Sequence, residues 1–351
     1  MRNCIAAVAI AVLVATAIGA KARQRGKTSA DAPPAWAYGF AGPPENSPAP
    51  APAAAPPARD DGTLRHVPGS TLAFTLTQIR DGFGPADWYP GDHPEMPDIV
   101  AHGRKPEVRA CALCHYPNGK GRPENAGIAG LPAIYFLQTM ADFKNGARRS
   151  TDLRKANTNA MISFAKAMTP EELKAAAQYF SSMKWTPWIR VVETSTVPKT
   201  RISVGMFLTL DTPEKEPIGQ RIIETPANTE ATETLRDDRS GFIAYVPPGS
   251  IKKGAVLVTT GAGGKTTRCA ACHGADLQGL GPVPGIAGRS PSYLVRQLYD
   301  MQQGSRNGIW TDLMKPVVAK LSTEDMVDIA AYLSSRLGGP PEVVISRSSA
   351  Q

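Results

Sequence analysis

Cys111-Ala112-Leu113-Cys114-His115 and Cys269-Ala270-Ala271-Cys272-His273 are the stretches on which the reading of this chain turns. They lie 158 residues apart, and the same offset aligns the residues downstream of each. Gly127-Ile128-Ala129-Gly130 falls on Gly285-Ile286-Ala287-Gly288, Tyr135 on Tyr293, Asp142 on Asp300, Gly146 on Gly304 and Arg148 on Arg306. After a five-residue deletion in the second copy the offset is 153, which places Met161 on Met314, Thr169 on Ser322, Glu171 on Glu324, Ala177 on Ala330 and Tyr179 on Tyr332. One domain is therefore present twice, at 100–184 and 258–338.

Each copy reads as helical. Pro132 to Lys144 and Pro291 to Gln303 begin with Pro and stop at Gly146 or Gly304, the expected start and stop residues of a helix. The last segment of each copy opens on a capping sequence, Thr169-Pro170-Glu171-Glu172 or Ser322-Thr323-Glu324-Asp325. In it Ala176, Tyr179, Phe180 and Met183, and then Ile329, Tyr332 and Leu333, recur at helical spacing and read as core contacts. Between the copies, residues 185–257 change character: Ile202 to Leu210 and Gly241 to Val246 are rich in β-branched and aromatic residues and predict short strands. The fold class is thus mainly α, two helical domains with a short β-containing insertion between them.

The N-terminal part lies outside the repeat. Arg2 and Asn3, the uncharged run Ile5 to Ala20, and the small-x-small Ala20-Lys21-Ala22 make residues 1–22 a signal peptide or an N-terminal anchor; the run is short for a spanning helix. Residues 23–58, mostly Ala and Pro, are expected to be a disordered tether that buries no core. Residues 59–99 form an N-terminal extension of the first repeated domain, and 339–351 a C-terminal tail. The 351 residues carry a net charge of +8, but no nucleic-acid motif accompanies it, so an acidic protein or an anionic membrane surface is the expected partner of the basic surface.

The two pentapeptides carry the chemistry. Two thiols at Cys-x-x-Cys spacing form thioethers with the two vinyl groups of one haem, and the adjacent His reaches its iron. A zinc ribbon would bring two such pairs within about 15–20 residues of each other, and a thioredoxin-like pair would sit in a βαβ unit; neither context is present. Cys111, Cys114, Cys269 and Cys272 are therefore expected to hold two covalent haem c groups, with His115 and His273 as iron ligands. The other axial ligands follow from the repeat. Met140, Met168, Met301 and Met326 align with Leu298, Leu321, Phe143 and Leu173, so those positions accept ordinary apolar residues. Met161 and Met314 align with each other and are expected on a loop that closes over the far face of the haem, simple packing being the alternative. His66, His93 and His102 have no counterpart in the second copy and read as surface or hydrogen-bonding residues, replacement of Met161 as ligand by one of them being the alternative. Lys144, Arg148, Arg149, Arg154, Lys155, Lys166 and Lys174 form a basic cluster around the first domain, either solvated charge or a docking face for an acidic partner.

These motifs, with the Tyr-x-x-x-Gln and Tyr-x-x-x-x-Met stretches, Phe143-Lys144-x-Gly146-x-Arg148 and Met161-x-x-x-Ala165, resemble the dihaem cytochromes c of the cytochrome c4 type, built from two class I cytochrome c domains. The resemblance covers about half the chain. It implies electron transfer in the periplasm, towards a terminal oxidase or another acceptor, by a protein soluble or anchored to the inner membrane through its N-terminus, with Met161 and Met314 as distal ligands. The expected partners are redox proteins: an oxidase, a dehydrogenase or another cytochrome. A carrier without substrate chemistry at iron fits better than a dihaem enzyme, because both copies offer the same Met and the fifth cysteine, Cys4, lies in the leader. A cytochrome subunit of a dehydrogenase complex is the alternative.

Overall fold

The computed structural model describes residues 33–42 and 60–337. The leader, most of the Ala/Pro-rich stretch and the C-terminal tail lie outside the described residues. In the extension, short helices α1 (Leu76–Ile79) and α2 (Asp98–Ala101) precede the first pentapeptide, which is itself a helical turn, α3 (Cys111–His115). The domain continues with α4 (Ala133–Lys144), α5 (Ala156–Ala167) and α6 (Pro170–Ser182). Helix α4 follows Pro132 and stops before Gly146 at φ 79°, a left-handed position that glycine takes without strain. Thr169 caps α6 through a capping box with Glu172.

The insertion contributes strands β1 (Ile189–Glu193), β2 (Thr196–Pro198), β3 (Thr200–Ser203), β4 (Met206–Thr209), β5 (Lys215–Pro217), β6 (Ile223–Pro226) and β7 (Phe242–Val246). Strand β7 pairs parallel to β1 and antiparallel to β6. The short strands expected over 202–210 form the β3–β4 hairpin, turned by Val204 at φ 49° and Gly205 at φ 83°. Its run of apolar residues hid that turn.

The second domain comprises α7 (Ser250–Thr260), α8 (Ala270–His273), the two-residue strands β8 (Gly279–Leu280) and β9 (Val283–Pro284), α9 (Pro291–Gln302), α10 (Lys315–Val318) and α11 (Thr323–Ser335). Ser322 caps α11 in a box with Asp325, as Thr169 caps α6. Helix α7 begins at Ser250, ahead of the expected start at 258, and lies along α11. Its β-branched composition masked the helix; the crossing is made possible by Gly254, where any Cβ would overlap the carbonyl oxygen of Asp328.

The repeat extends to single backbone hydrogen bonds. Gly130 N donates to Phe180 O and Gly288 N to Leu333 O, while Ile128 and Ala129 donate to Gly119 O as Ile286 and Ala287 do to Leu277 O. Two cores result. One, around Ile128, Met140, Ala165, Tyr179 and Phe180, belongs to the first domain. The other joins the second domain to the insertion, since Trp188, Ile189, Phe242 and Val246 pack with Val295, Ile329 and Leu333. The insertion is therefore fused to the second domain. Buried Glu224 on β6 accepts from the hydroxyls of Ser290 and Ser292 at the start of α9.

The tether expectation is corrected for residues 33–42. Ala35–Tyr38 forms a 3₁₀ turn, Tyr38 is fully buried in the second core, and its hydroxyl donates to Asp300 Oδ1 at 2.7 Å. Averaged Ala/Pro composition concealed the local run Trp36, Tyr38, Phe40. Upstream of the first pentapeptide, the extension clusters Val67, Ile79, Trp88 and Tyr89 and leans on the insertion. Trp88 Nε1 donates to Leu235 O, and Arg239 pairs with both oxygens of Asp92 at 2.7 Å.

Because the α7–α11 crossing leaves no space for a side chain, Gly254→Ala should cost about 2 kcal/mol through forced separation of the helices. Chemical denaturation of the intact protein measures this, and unchanged stability would show that the crossing is looser than described.

Candidate functional site

The first site is built where α3 meets α4 and α5. Cys111, Cys114 and His115 line a cavity of about 410 Å³ together with Ile128, Phe136, Met140, Met161, Phe164, Met168 and Phe180. Apolar walls from three helices and a cysteine-bearing rim suit a flat, largely hydrophobic group. His115 is buried, which pushes its pKa down and keeps the imidazole neutral, and its Nδ1–H donates to Ala126 O at 2.8 Å. That leaves the Nε2 lone pair free for a metal ion.

The second site repeats this arrangement. His273 Nδ1–H donates to Pro284 O, again eleven residues downstream and again at 2.8 Å, and burial lowers its pKa likewise. Cys269 and Met314 both pack against the edge of the second core. The two sites differ in cover: His115 is buried, whereas His273 is half-buried and Cys272 exposed.

The methionines correct the sequence expectation in one respect. Met161 lies within α5, not on a loop; Ala156, Ala160, Ala165 and Ala167 favour a helix there. It nevertheless lines the first cavity. Met314 sits where the 3₁₀ turn Ile309–Leu313 meets α10. Met140 and Met168 are buried core residues that also line the cavity. His66 and His102 are exposed, and His93 is held by Asp87 at 3.2 Å and Pro94 O; none of the three lines the cavity.

The basic cluster does not form one surface. Lys144, Arg149, Lys166 and Lys174 are exposed, but Arg148 and Lys155 are buried and Arg154 is paired with Asp152 at 2.7 Å. Arg148 serves the contact between the domains. It donates to Tyr293 Oη at 3.0 Å and Gln297 Oε1 at 2.9 Å, while its repeat partner Arg306 donates to Tyr135 Oη at 2.7 Å and to the same Gln297 oxygen. Arg149 N donates to Ser305 O and Asn307 N to Ala147 O, so the backbones pair antiparallel between these arginines. The pairing is reciprocal: each domain's arginine holds the other's tyrosine. Burial opposes ionisation of Tyr135, but the Arg306 and Arg148 guanidiniums outweigh it and bring the phenol down to about 8. Tyr135, Arg148, Tyr293 and Gln297 also line the first cavity, which thus reaches the domain contact.

Sequence reasoning missed three further arginines. Arg289 donates to Gly127 O and Ala129 O at 3.0 Å, stacked on Trp185, and buried Arg296 donates to Pro123 O and Ala37 O. Arg236 brings the insertion to the first cavity. Arg148/Arg306 and Tyr135/Tyr293 were visible as repeated pairs; the other three have no repeat signal.

Removing a buried guanidinium that makes two such bonds leaves its acceptors unpaired. Arg148→Ala should therefore cost about 3 kcal/mol, Arg306→Ala less, and the double variant less than their sum because both arginines share Gln297. Chemical denaturation of the single and double variants measures the coupling; strictly additive losses would mean that the two pairs act independently.

Residues 100–184 and 251–336 each match the cytochrome c family model. Cytochrome c-554(548) of Halomonas halodenitrificans is 45% identical over 73 residues, 20% of this chain and 88% of that protein. The thiosulfate dehydrogenase electron acceptor of Stutzerimonas stutzeri is 26% identical over 238 residues, 66% of this chain and 82% of that one. Cytochrome c4 of Pseudomonas aeruginosa is 38% identical over 73 residues, 20% of this chain and 35% of that protein. Two family matches on two copies of one site, and a histidine held alike in each, mean that the chain belongs to the cytochrome c family, as a protein of two cytochrome c domains that binds two haem c groups covalently and transfers electrons.

Proposed function

We propose that the protein is an exported carrier that passes single electrons between redox proteins, with Cys111, Cys114, His115 and Met161 serving one haem and Cys269, Cys272, His273 and Met314 the other. The observation that carries this reading is the matched orientation of the two histidines, each fixed through Nδ1 by a backbone carbonyl at 2.8 Å. Bound haem supplies an iron that cycles between the ferric and ferrous states. The chain's own residues prepare each site for that single task. His115 and His273 stay neutral and oriented by burial and their carbonyl partners, so neither must rotate or lose a proton during turnover. Met161 and Met314 offer a neutral thioether, which favours the ferrous state relative to a stronger donor. A thioether offered at both sites would leave neither iron open to substrate, which favours a carrier over an enzyme. The apolar side chains in the first cavity would limit reorganisation around a bound haem.

Export to the periplasm is supported by the charge and hydrophobic pattern of residues 1–22 and by the chemistry of covalent haem sites; the same segment, uncleaved, would serve as an inner-membrane anchor. For the partner, a second reading has specific support. Proteins described as thiosulfate dehydrogenase electron acceptors match two thirds of this chain, so a dehydrogenase that donates to this cytochrome is a fitting source of electrons, with an oxidase or another cytochrome as acceptor.

The pyridine haemochrome of the mature protein should give two haems per chain that survive acid-acetone extraction. Cys111→Ala or Cys269→Ala should remove or weaken one attachment. Met161→His and Met314→His should each abolish about half of the weak sulfur-to-iron charge-transfer band of the ferric protein and lower one reduction potential. A band that survives intact in both variants would place the sulfur ligands elsewhere.

A further inference from the structure

The insertion does more than fill space beside the first domain. Arg236 lies just after the helical turn Glu230–Thr234, at φ 54°, and lines the first cavity together with Cys114, His115, Arg122 and Glu124. Its guanidinium stands 5.6 Å from the centre of the Tyr116 ring. Arg122 Nε approaches Glu124 Oε1 at 2.6 Å, but Arg236 Nη2, Glu124 Oε2 and the Tyr116 hydroxyl are buried without a hydrogen-bond partner among the described residues. Arginine does not shed its proton in proteins, so Arg236 is a cation held beside the cavity, with Glu124 as its carboxylate neighbour in the lining. The wider lining has the same sign: among the described residues Glu124 and Asp300 are its only carboxylates, against seven Arg and Lys side chains.

The second copy is an internal control. At the repeat offset Tyr116 becomes Gly274, Arg122 becomes Leu280 and Glu124 becomes Pro282. Leu280 is exposed, as is Cys272. The first site is therefore covered and charged, the second open and lacking these charges.

Ferric iron carries one positive charge more than ferrous iron, so a cation beside the cavity destabilises the ferric state more. Exclusion of water acts in the same direction, because the more highly charged state loses more solvation. We propose that Arg236, supplied by the insertion, is a positioning residue that raises the reduction potential of the first haem above that of the second, so that electrons entering at the open second site settle on the first. In that transfer one electron leaves the second iron, which is oxidised, and reduces the first; no bond breaks and no proton is required. The inference rests on the assignment of one haem to each repeated motif.

Spectroelectrochemical titration of the full holoprotein tests it, with the two waves assigned by the effect of Met314→His on the second. Arg236→Gln should lower the first-haem wave so that the reduced-to-oxidised ratio at its original midpoint falls about tenfold, with the second wave unmoved. Arg236→Lys, which keeps the charge, should restore it. Glu124→Gln, which removes a negative charge from the same cluster, should move the same wave upward. The proposal is overturned if neither charge variant moves the first wave while both haems are bound, if both waves move together, or if the wild-type first haem has the lower potential. A wild-type count below two haems would overturn it together with the site assignment, and the haemochrome assay separates that case from the others.

Discussion

The structure depends on a reciprocal contact in which the guanidinium of each haem domain holds the phenol of the other. Arg148 reaches Tyr293 and Arg306 reaches Tyr135, with Gln297 accepting from both. Duplication of one domain makes such a contact economical, since a single residue pair repeated in both copies supplies two sets of bonds about one pseudo-two-fold axis. The burial of Arg148 and its position in the lining of the first cavity tie this contact to the electron-transfer site. The residues that set the distance between the domains thus also shape the wall of the first site.

Departures from symmetry are layered on that frame. Arg289 and Arg296 reach from the second domain into the first without return partners among the described residues, and Tyr38 threads an N-terminal segment onto Asp300. The insertion shares a core with the second domain while presenting Arg236 to the first cavity. Two sites that began as copies are thereby given different burial and different charge. For an electron carrier such inequality has a use, because two identical irons impose no direction on an electron shared between them.

The pentapeptides, the helix caps at Thr169 and Ser322, and the pairing of Met161 with Met314 were legible because each is a local pattern that occurs twice. Features without a second copy were not. Helix α7 was hidden by its β-branched residues and rests on Gly254, whose meaning appears only when Asp328 is packed against it. The aromatic run 36–40 was lost in Ala/Pro composition, although Tyr38 is among the most buried side chains. Arg148 read as part of a basic surface because charge alone does not reveal a phenol waiting across a domain boundary. Met161 was expected on a loop because it precedes the capped helix α6 by the same interval as Met314 precedes α11; the alanines around it were the better local guide.

If the reciprocal contact makes the two haems one electron-sharing unit, then flash photoreduction with less than one electron per molecule should show a second phase in which reduction moves between the haems without net oxidation, at a rate independent of protein concentration. A redistribution rate proportional to protein concentration would mean that electrons pass between molecules instead, and would contradict the role assigned to this contact.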